Sequence, residues 1–210
     1  MTPSGPCRPN LAGALDRDWL RARLAACRGR PAPFPGDQAD ERELACPATP
    51  AAVLIGLVPA ADGPRILLTR RSDHLKDHAG QIAFPGGRIE PEDPDPVAAA
   101  LREAEEEVGL DRRRVEVLGE IARYRTRTGF LIHPVVGWIE PPAAFRPDPF
   151  EVAELFELPL AFALDPANHR RDAYEREGRR REFWVLPYEN RYIWGATAGI
   201  LVNLARLLGK

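Results

Sequence analysis

A mixed α/β domain is the fold class this sequence predicts, and two observations predict it. Apolar runs of strand character stand on both sides of one helical pattern in mid-chain, and a second helical pattern fills residues 195–209. The 210 residues, 44% hydrophobic and 29% charged, suffice for one domain with a substantial core but not for two full ones.

In chain order, a short helix is expected from Asp16 to Cys27, with Asp16 as cap and Leu20 and Leu24 one turn apart. The stretch RPAPFPGDQADERELACPATP is rich in proline and small residues, so residues 1–50 read as a peripheral extension and residues 51–210 as the domain. AAVLIGLVPA and RILLTRR flank a turn holding Asp62, Gly63 and Pro64, which predicts a hairpin. Further strands are expected at Ile82–Phe84, Val115–Ile121, Phe130–Glu140 and Phe183–Tyr188. The segment RRDAYEREGRRREF reads as a solvated hairpin or loop. In GATAGILVNLARLLG, Ile200, Leu204, Leu207 and Leu208 make one helical face.

The mid-chain helix is expected from Pro96 to Val108. Asp95 can cap it, Pro96 costs nothing at its first position, and Gly109 suits the left-handed residue that ends it. At 3.6 residues per turn, Val97, Leu101, Ala104 and Val108 fall within an arc of roughly 60°, an apolar stripe for the core. Glu103, Glu106 and Glu107 fall within another arc of roughly 100°, and Glu105 points elsewhere. Like charges at this spacing repel, no Lys or Arg follows any of the three at the favourable spacing, and Arg102 precedes Glu106 in the weaker orientation. The helix dipole opposes them as well. The face therefore calls for a cation, and carboxylate oxygens suit Mg²⁺ or Mn²⁺. Just upstream, Phe84-Pro85-Gly86-Gly87 forms a turn whose glycines let backbone approach a phosphate or a metal.

These residues resemble the Nudix box, G-x5-E-x7-R-E-U-x-E-E-x-G-U, with U a bulky aliphatic residue. Arg102, Glu103, Glu106, Glu107, Gly109 and Leu110 match it position for position. Ala104 stands where a bulkier residue is usual, and the spacing is one residue longer, with Asp93 sixth after Gly87 and Arg102 fifteenth. The preceding LLTRRSDHLKDHAGQIAFPGG resembles the extra motif of the coenzyme A pyrophosphatase branch, through Leu67, Leu68, Thr69, Arg71, Ser72, Gly80, Phe84, Pro85, Gly86 and Gly87. Lys76 replaces an arginine of that motif, which keeps the charge and loses the bidentate fork. The stretch YENRYIWGATAGIL is also similar to that branch.

The resemblance implies a Nudix α/β/α sandwich with a mixed sheet and a catalytic loop-helix-loop over residues 51–210. It implies Mg²⁺- or Mn²⁺-dependent hydrolysis of the diphosphate of coenzyme A or a derivative, giving 4′-phosphopantetheine and adenosine 3′,5′-bisphosphate. Glu103 and Glu107 would be the main metal ligands, Glu106 would complete the site directly or through water, and Arg102 would pair with a box carboxylate. Glu151, Glu154 and His133 stand as general-base candidates, and Arg71, Lys76, Gln81, Gly86 and Gly87 as substrate-binding ones. A Nudix hydrolase of ADP-ribose, NADH or a (d)NTP is the alternative. A non-catalytic sensor would be expected to have lost its glutamates, and an RNA-trimming enzyme would need a basic patch that only GRRREF offers.

A formal net charge of -2 gives no general attraction for nucleic acid or an anionic membrane. Cys7, Cys27 and Cys46 show no C-x-x-C spacing, and neither a signal peptide nor an apolar span of 18 residues is visible. These features predict a cytoplasmic protein, and the resemblance implies a small-molecule partner. A homodimer is compatible with the sequence, which fixes no oligomeric state.

Overall fold

A computed structural model of the chain describes residues 15–34, 36–37, 47–75, 78–176 and 178–209. Lys76, Cys7 and Cys46 lie outside them. In chain order the elements are α1 (Arg17–Cys27), β1 (Thr49–Val58), β2 (Arg65–Arg71), β3 (Ile82–Ala83), β4 (Gly86–Arg88) and α2 (Pro96–Val108). There follow β5 (Val115–Glu120), β6 (Tyr124–Arg125), β7 (Phe130–Ile139), β8 (Val152–Pro159) and α3 (Leu160–Leu164). Last come β9 (Arg170–Arg176), β10 (Arg179–Tyr188), β11 (Arg191–Trp194) and α4 (Gly195–Leu208).

The mixed sheet runs β3-β2-β1-β7-β5, with β8 on β2 and β6 on β7. β1 and β7 are parallel from Thr49↔Phe130 to Leu57↔Trp138, and the other pairs are antiparallel. On one face α2 packs through Ala99, Ala100, Ala104 and Val108 onto Leu54, Val135 and Ile139. The other face carries α1, α3 and α4 on a larger apolar cluster that includes Leu20, Ile55, Leu68, Val136, Leu160 and Leu201. The result is a three-layer α/β/α sandwich, with β11-β10-β9 as a second, smaller antiparallel sheet.

The hairpin at Asp62–Pro64 forms, but its strands pair only at Leu57↔Ile66 and Val58↔Arg65. Beyond that they part, and residues 82–88 enter the fork. There β3 pairs with β2 at Thr69↔Ala83 and Arg70↔Ile82, while β4 pairs with β1 at Ala52↔Gly87 and Val53↔Gly86. The Leu54 amide donates to the Pro85 carbonyl at 2.8 Å and closes the gap. Only glycine fits at 86: its φ is +156°, and a Cβ there would lie 2.4 Å from the Ala52 carbonyl oxygen. The fork thus delivers the glycine turn to the surface of α2.

Both expected helix boundaries are observed. Asp16 caps α1, and Asp95 accepts from the Ala98 amide at 2.8 Å ahead of α2. Gly109 ends α2 at φ 64°. The buried stripe of α2 differs from the expected one: Val97 and Leu101 are half-buried, whereas Ala99, Ala100 and Glu107 are fully buried. Small alanines let the helix backbone settle onto the sheet and carry the edge of the acidic face under with it. The segment RRDAYEREGRRREF is the β9–β10 hairpin, paired from Arg179↔Arg176 to Val185↔Arg170.

Candidate active site

The three box glutamates share a side of α2 but have different surroundings. Glu107 is buried. Its Oε2 accepts from the Gly86 amide at 3.2 Å, and its Oε1 lies 3.4 Å from an Arg71 guanidinium nitrogen. Burial pushes its carboxyl up to about 7, and nearby Glu103 and Glu151 add to the rise against the pull of Gly86 and Arg71. Glu103 is also raised, chiefly by burial, with its bond to Arg102 opposing. Its carboxylate fills the space beside Gly87, where a Cβ would stand 2.6 Å from it. Glu106 is exposed, and Glu105 pairs with Arg112.

The expected shortage of positive charge is made good in part from within the chain. Arg102 forks onto Asp93, Nε to Oδ1 at 3.0 Å and Nη2 to Oδ2 at 2.9 Å, which holds the Asp93 carboxyl below its usual range. Its Nη1 donates to Glu103 at 2.9 Å and to Glu106 at 3.0 Å. Asp93, which stands at the box's first acidic position, is therefore the clamp that aims Arg102 across the one extra residue between them. The side chain of Asp93 is 6% exposed, so this pair is not an idle surface bridge.

Among the described residues, no group of three His, Cys, Asp or Glu is gathered into a metal cage. Arg102 stands between Glu103 and Glu106, and Glu107 turns away to Gly86. Mg²⁺ does not require a cage, because it commonly binds through one or two carboxylates and keeps waters and substrate phosphates. A buried and a half-buried carboxylate with raised proton affinity, next to a turn whose Gly86 leaves no space for a Cβ, have the donor chemistry for such an ion.

Beyond the turn opens a cavity of about 530 Å³. Arg71, Gln81, Gly86 and Gly87, expected to bind substrate, all line it. Arg71 bridges the two regions, since it also reaches Glu107, and its Nε is buried without a hydrogen-bond partner. Of the base candidates, Glu154 is held by Arg191 at 2.6 Å. His133 is depressed by burial and by Arg123, with Glu120 opposing, so its setting is not the box. Glu151 is the candidate whose charge is felt at both Glu103 and Glu107.

Sequence reasoning missed several cavity walls. Tyr174, Phe183 and Trp194 come from the hairpin and β11, and Thr126–Thr128 from the turn before β7. Asp37, from the stretch read as peripheral, accepts from the Tyr124 hydroxyl at 2.7 Å and from the Arg127 amide at 3.2 Å.

The fold and the carboxylate-bearing helix together define the class: an α/β/α hydrolase acting on phosphate anhydrides. A family model described as the NUDIX domain matches residues 48–176, and the chain belongs to the Nudix family. It is 46% identical over 160 residues to a protein of Escherichia coli (strain K12) named "Uncharacterized Nudix hydrolase NudL", covering 76% of this chain and 82% of that one. The protein of the same name from Yersinia pestis (strain Pestoides F) is 44% identical over 156 residues, covering 74% and 78%. Among solved structures, the NUDIX domain of Shewanella oneidensis NrtR complexed with ADP ribose is similar at 19% identity and a TM-score of 0.45, covering 60% of this chain and 82% of that one. The chain is thus a pyrophosphohydrolase of nucleoside diphosphate derivatives, in a family that generally uses divalent metal cations. No helix among the described residues is long and apolar enough to cross a membrane.

Proposed function

We propose that the chain hydrolyses the diphosphate of coenzyme A or its derivatives, giving 4′-phosphopantetheine and adenosine 3′,5′-bisphosphate. The observation that carries this reading is the place of the motif similar to the coenzyme A branch. Its Arg71, Phe84, Gly86 and Gly87 line one cavity with Gln81, and that cavity abuts Glu107. A diphosphate laid across the glycine turn brings its anhydride to the carboxylate helix while its two arms occupy the cavity.

Glu103 and Glu107 would hold Mg²⁺ or Mn²⁺, with Glu106 completing the site directly or through water. Such an ion would neutralise diphosphate charge and lower the pKa of a bound water. Arg102, clamped by Asp93, positions Glu103 and Glu106. Arg71 meets the substrate phosphates with a buried N–H to donate. Glu151, whose charge acts on both Glu103 and Glu107, would take a proton from water. Residues 51–210 constitute the hydrolase domain and 1–50 its extension, and the protein works on a small molecule in the cytoplasm, without nucleic acid or membrane.

Initial rates on coenzyme A, its acyl esters, ADP-ribose, NADH and a dNTP panel, with and without Mg²⁺ or Mn²⁺, test the proposal. Coenzyme A or an acyl ester should be preferred, with the two named products. A preference for ADP-ribose, NADH or a dNTP overturns it.

A further inference from the structure

The β9–β11 sheet carries aromatic side chains for which the hydrolytic chemistry has no task. Register places three of them on one face. Phe183 of β10 stands opposite Asp172, Tyr174 lies two residues along β9, and Trp194 of β11 pairs with Val185, two residues on from Phe183. The Phe183 ring is central, 5.8 Å from Tyr174 and 5.5 Å from Trp194, which it meets edge to face. On the opposite face Leu186 and Ile193 are buried in the core, whereas Tyr174 and Trp194 remain 40% and 37% exposed. All three aromatic rings line the cavity that reaches Gly86 and Gly87.

Their distance from the chemistry is set by the chain. Thr197, at the start of α4 just past Trp194, donates to the Ile82 carbonyl at 2.9 Å. From Ile82 the cavity floor runs through Phe84 to Gly87, at most roughly 17 Å of extended chain. Arg71 and Arg88 flank the glycine end, and the three aromatic rings stand at the other. A ligand with an anionic group at one end and a flat ring at the other would match this floor.

We infer that Phe183, Trp194 and Tyr174 form a stacking subsite for a nucleobase. The nucleoside end of the diphosphate lies against the C-terminal sheet, and the other arm leaves past Arg88 and Phe130. The inference rests on the cavity being the substrate site, not on coenzyme A being the substrate. Aromatic rings stack on a base face with an energy that an aliphatic arm does not gain.

The test is Trp194 fluorescence of the full chain in EDTA, where turnover does not confuse binding, titrated with AMP, ribose 5-phosphate and pantetheine. AMP should quench the wild type, and the Trp194 part of that quenching should vanish in Trp194→Phe. Trp194→Ala and Phe183→Leu should weaken AMP roughly tenfold and leave ribose 5-phosphate unchanged, and in turnover the loss should appear in KM rather than kcat. Equal weakening of AMP and ribose 5-phosphate, or quenching by pantetheine in place of AMP, overturns the inference. So does a change of sedimentation in Trp194→Ala with AMP affinity intact, which would make this face a contact between two copies. AMP binding through Trp194 in a chain that does not cleave diphosphates would leave the subsite standing and remove the proposed reaction instead.

Discussion

The two sides of the Gly86–Gly87 turn are built on opposite plans. On the helix side every box carboxylate has a partner: Arg102 on Glu103 and Glu106, and Gly86 with Arg71 on Glu107. On the cavity side, aromatic and hydroxyl-bearing residues from distant parts of the chain line about 530 Å³ of space. The difference separates chemistry from recognition. The helix side holds its charges in fixed pairs, whereas the cavity has the room to sort substrates. Perturbing one side should therefore change turnover, and perturbing the other should change affinity.

The largest effect is expected at Glu107. Glu107→Gln keeps the shape and removes the charge, so kcat should fall by on the order of 10³-fold or more while the fold is kept, with a thermal midpoint no lower than that of the wild type. Near-normal turnover would break the assignment of chemistry to the helix side.

Next in size is a pH effect on the metal-free protein. The Glu107 carboxyl is raised to about 7 from an ordinary 4.5. Between these values the folded chain keeps a proton that the unfolded chain releases, so stability is full below about pH 4.5 and falls as pH rises through 7. The total for Glu107 is on the order of 3 kcal/mol. Urea unfolding in EDTA at pH 5 and pH 8 measures it, and Glu107→Gln should flatten the slope. Mg²⁺ should offset the loss at pH 8. A pH-independent midpoint in the wild type would show that Glu107 is not buried as described.

Gly87→Ala sharpens the same side. A Cβ at 87 would stand 2.6 Å from the Glu103 carboxylate, which must move, and a shift of that size near the chemistry costs roughly 10²-fold in kcat. KM should change far less. If KM absorbs the loss, Gly87 belongs to recognition rather than to the chemistry.

The two sides were also unequally legible in the sequence. Helix α2 could be read whole, because its cap, first proline and terminal glycine are local signals and the carboxylate spacing is periodic. Which glutamate is buried was not legible, since that depends on how closely Ala99, Ala100 and Ala104 let the helix approach the sheet. Strand β8 was missed because Glu154 and Glu157 interrupt its apolar pattern; Glu154 is neutralised by Arg191, from a strand far along the chain. The hairpin β9–β10 looked like a solvated surface because most of its residues are charged, and its rings meet the glycine turn only through tertiary packing. Recognition elements brought together from residues 37, 126–128, 174 and 194 share no local pattern that a sequence scan could find.

The smallest expected effect tests the cavity side at its least anticipated support. Asn203, 1% exposed on α4, accepts from the Phe34 amide at 3.0 Å and donates to the Phe34 carbonyl at 2.7 Å. It thereby holds the backbone that carries Asp37 into the cavity wall. Asn203→Ala leaves both backbone groups without that partner, at a cost of about 2 kcal/mol. The Phe34 ring remains between Trp184, at 5.1 Å, and the Arg206 guanidinium, at 4.3 Å, so the segment should loosen rather than detach. Urea unfolding should report the lost stability, and steady-state kinetics should show a KM raised roughly threefold at unchanged kcat, since a partly ordered wall costs binding energy and leaves the carboxylates in place. A fall in kcat comparable with that of Gly87→Ala would mean that the N-terminal segment reaches the chemistry, and that the glycine turn does not divide the site as its geometry implies.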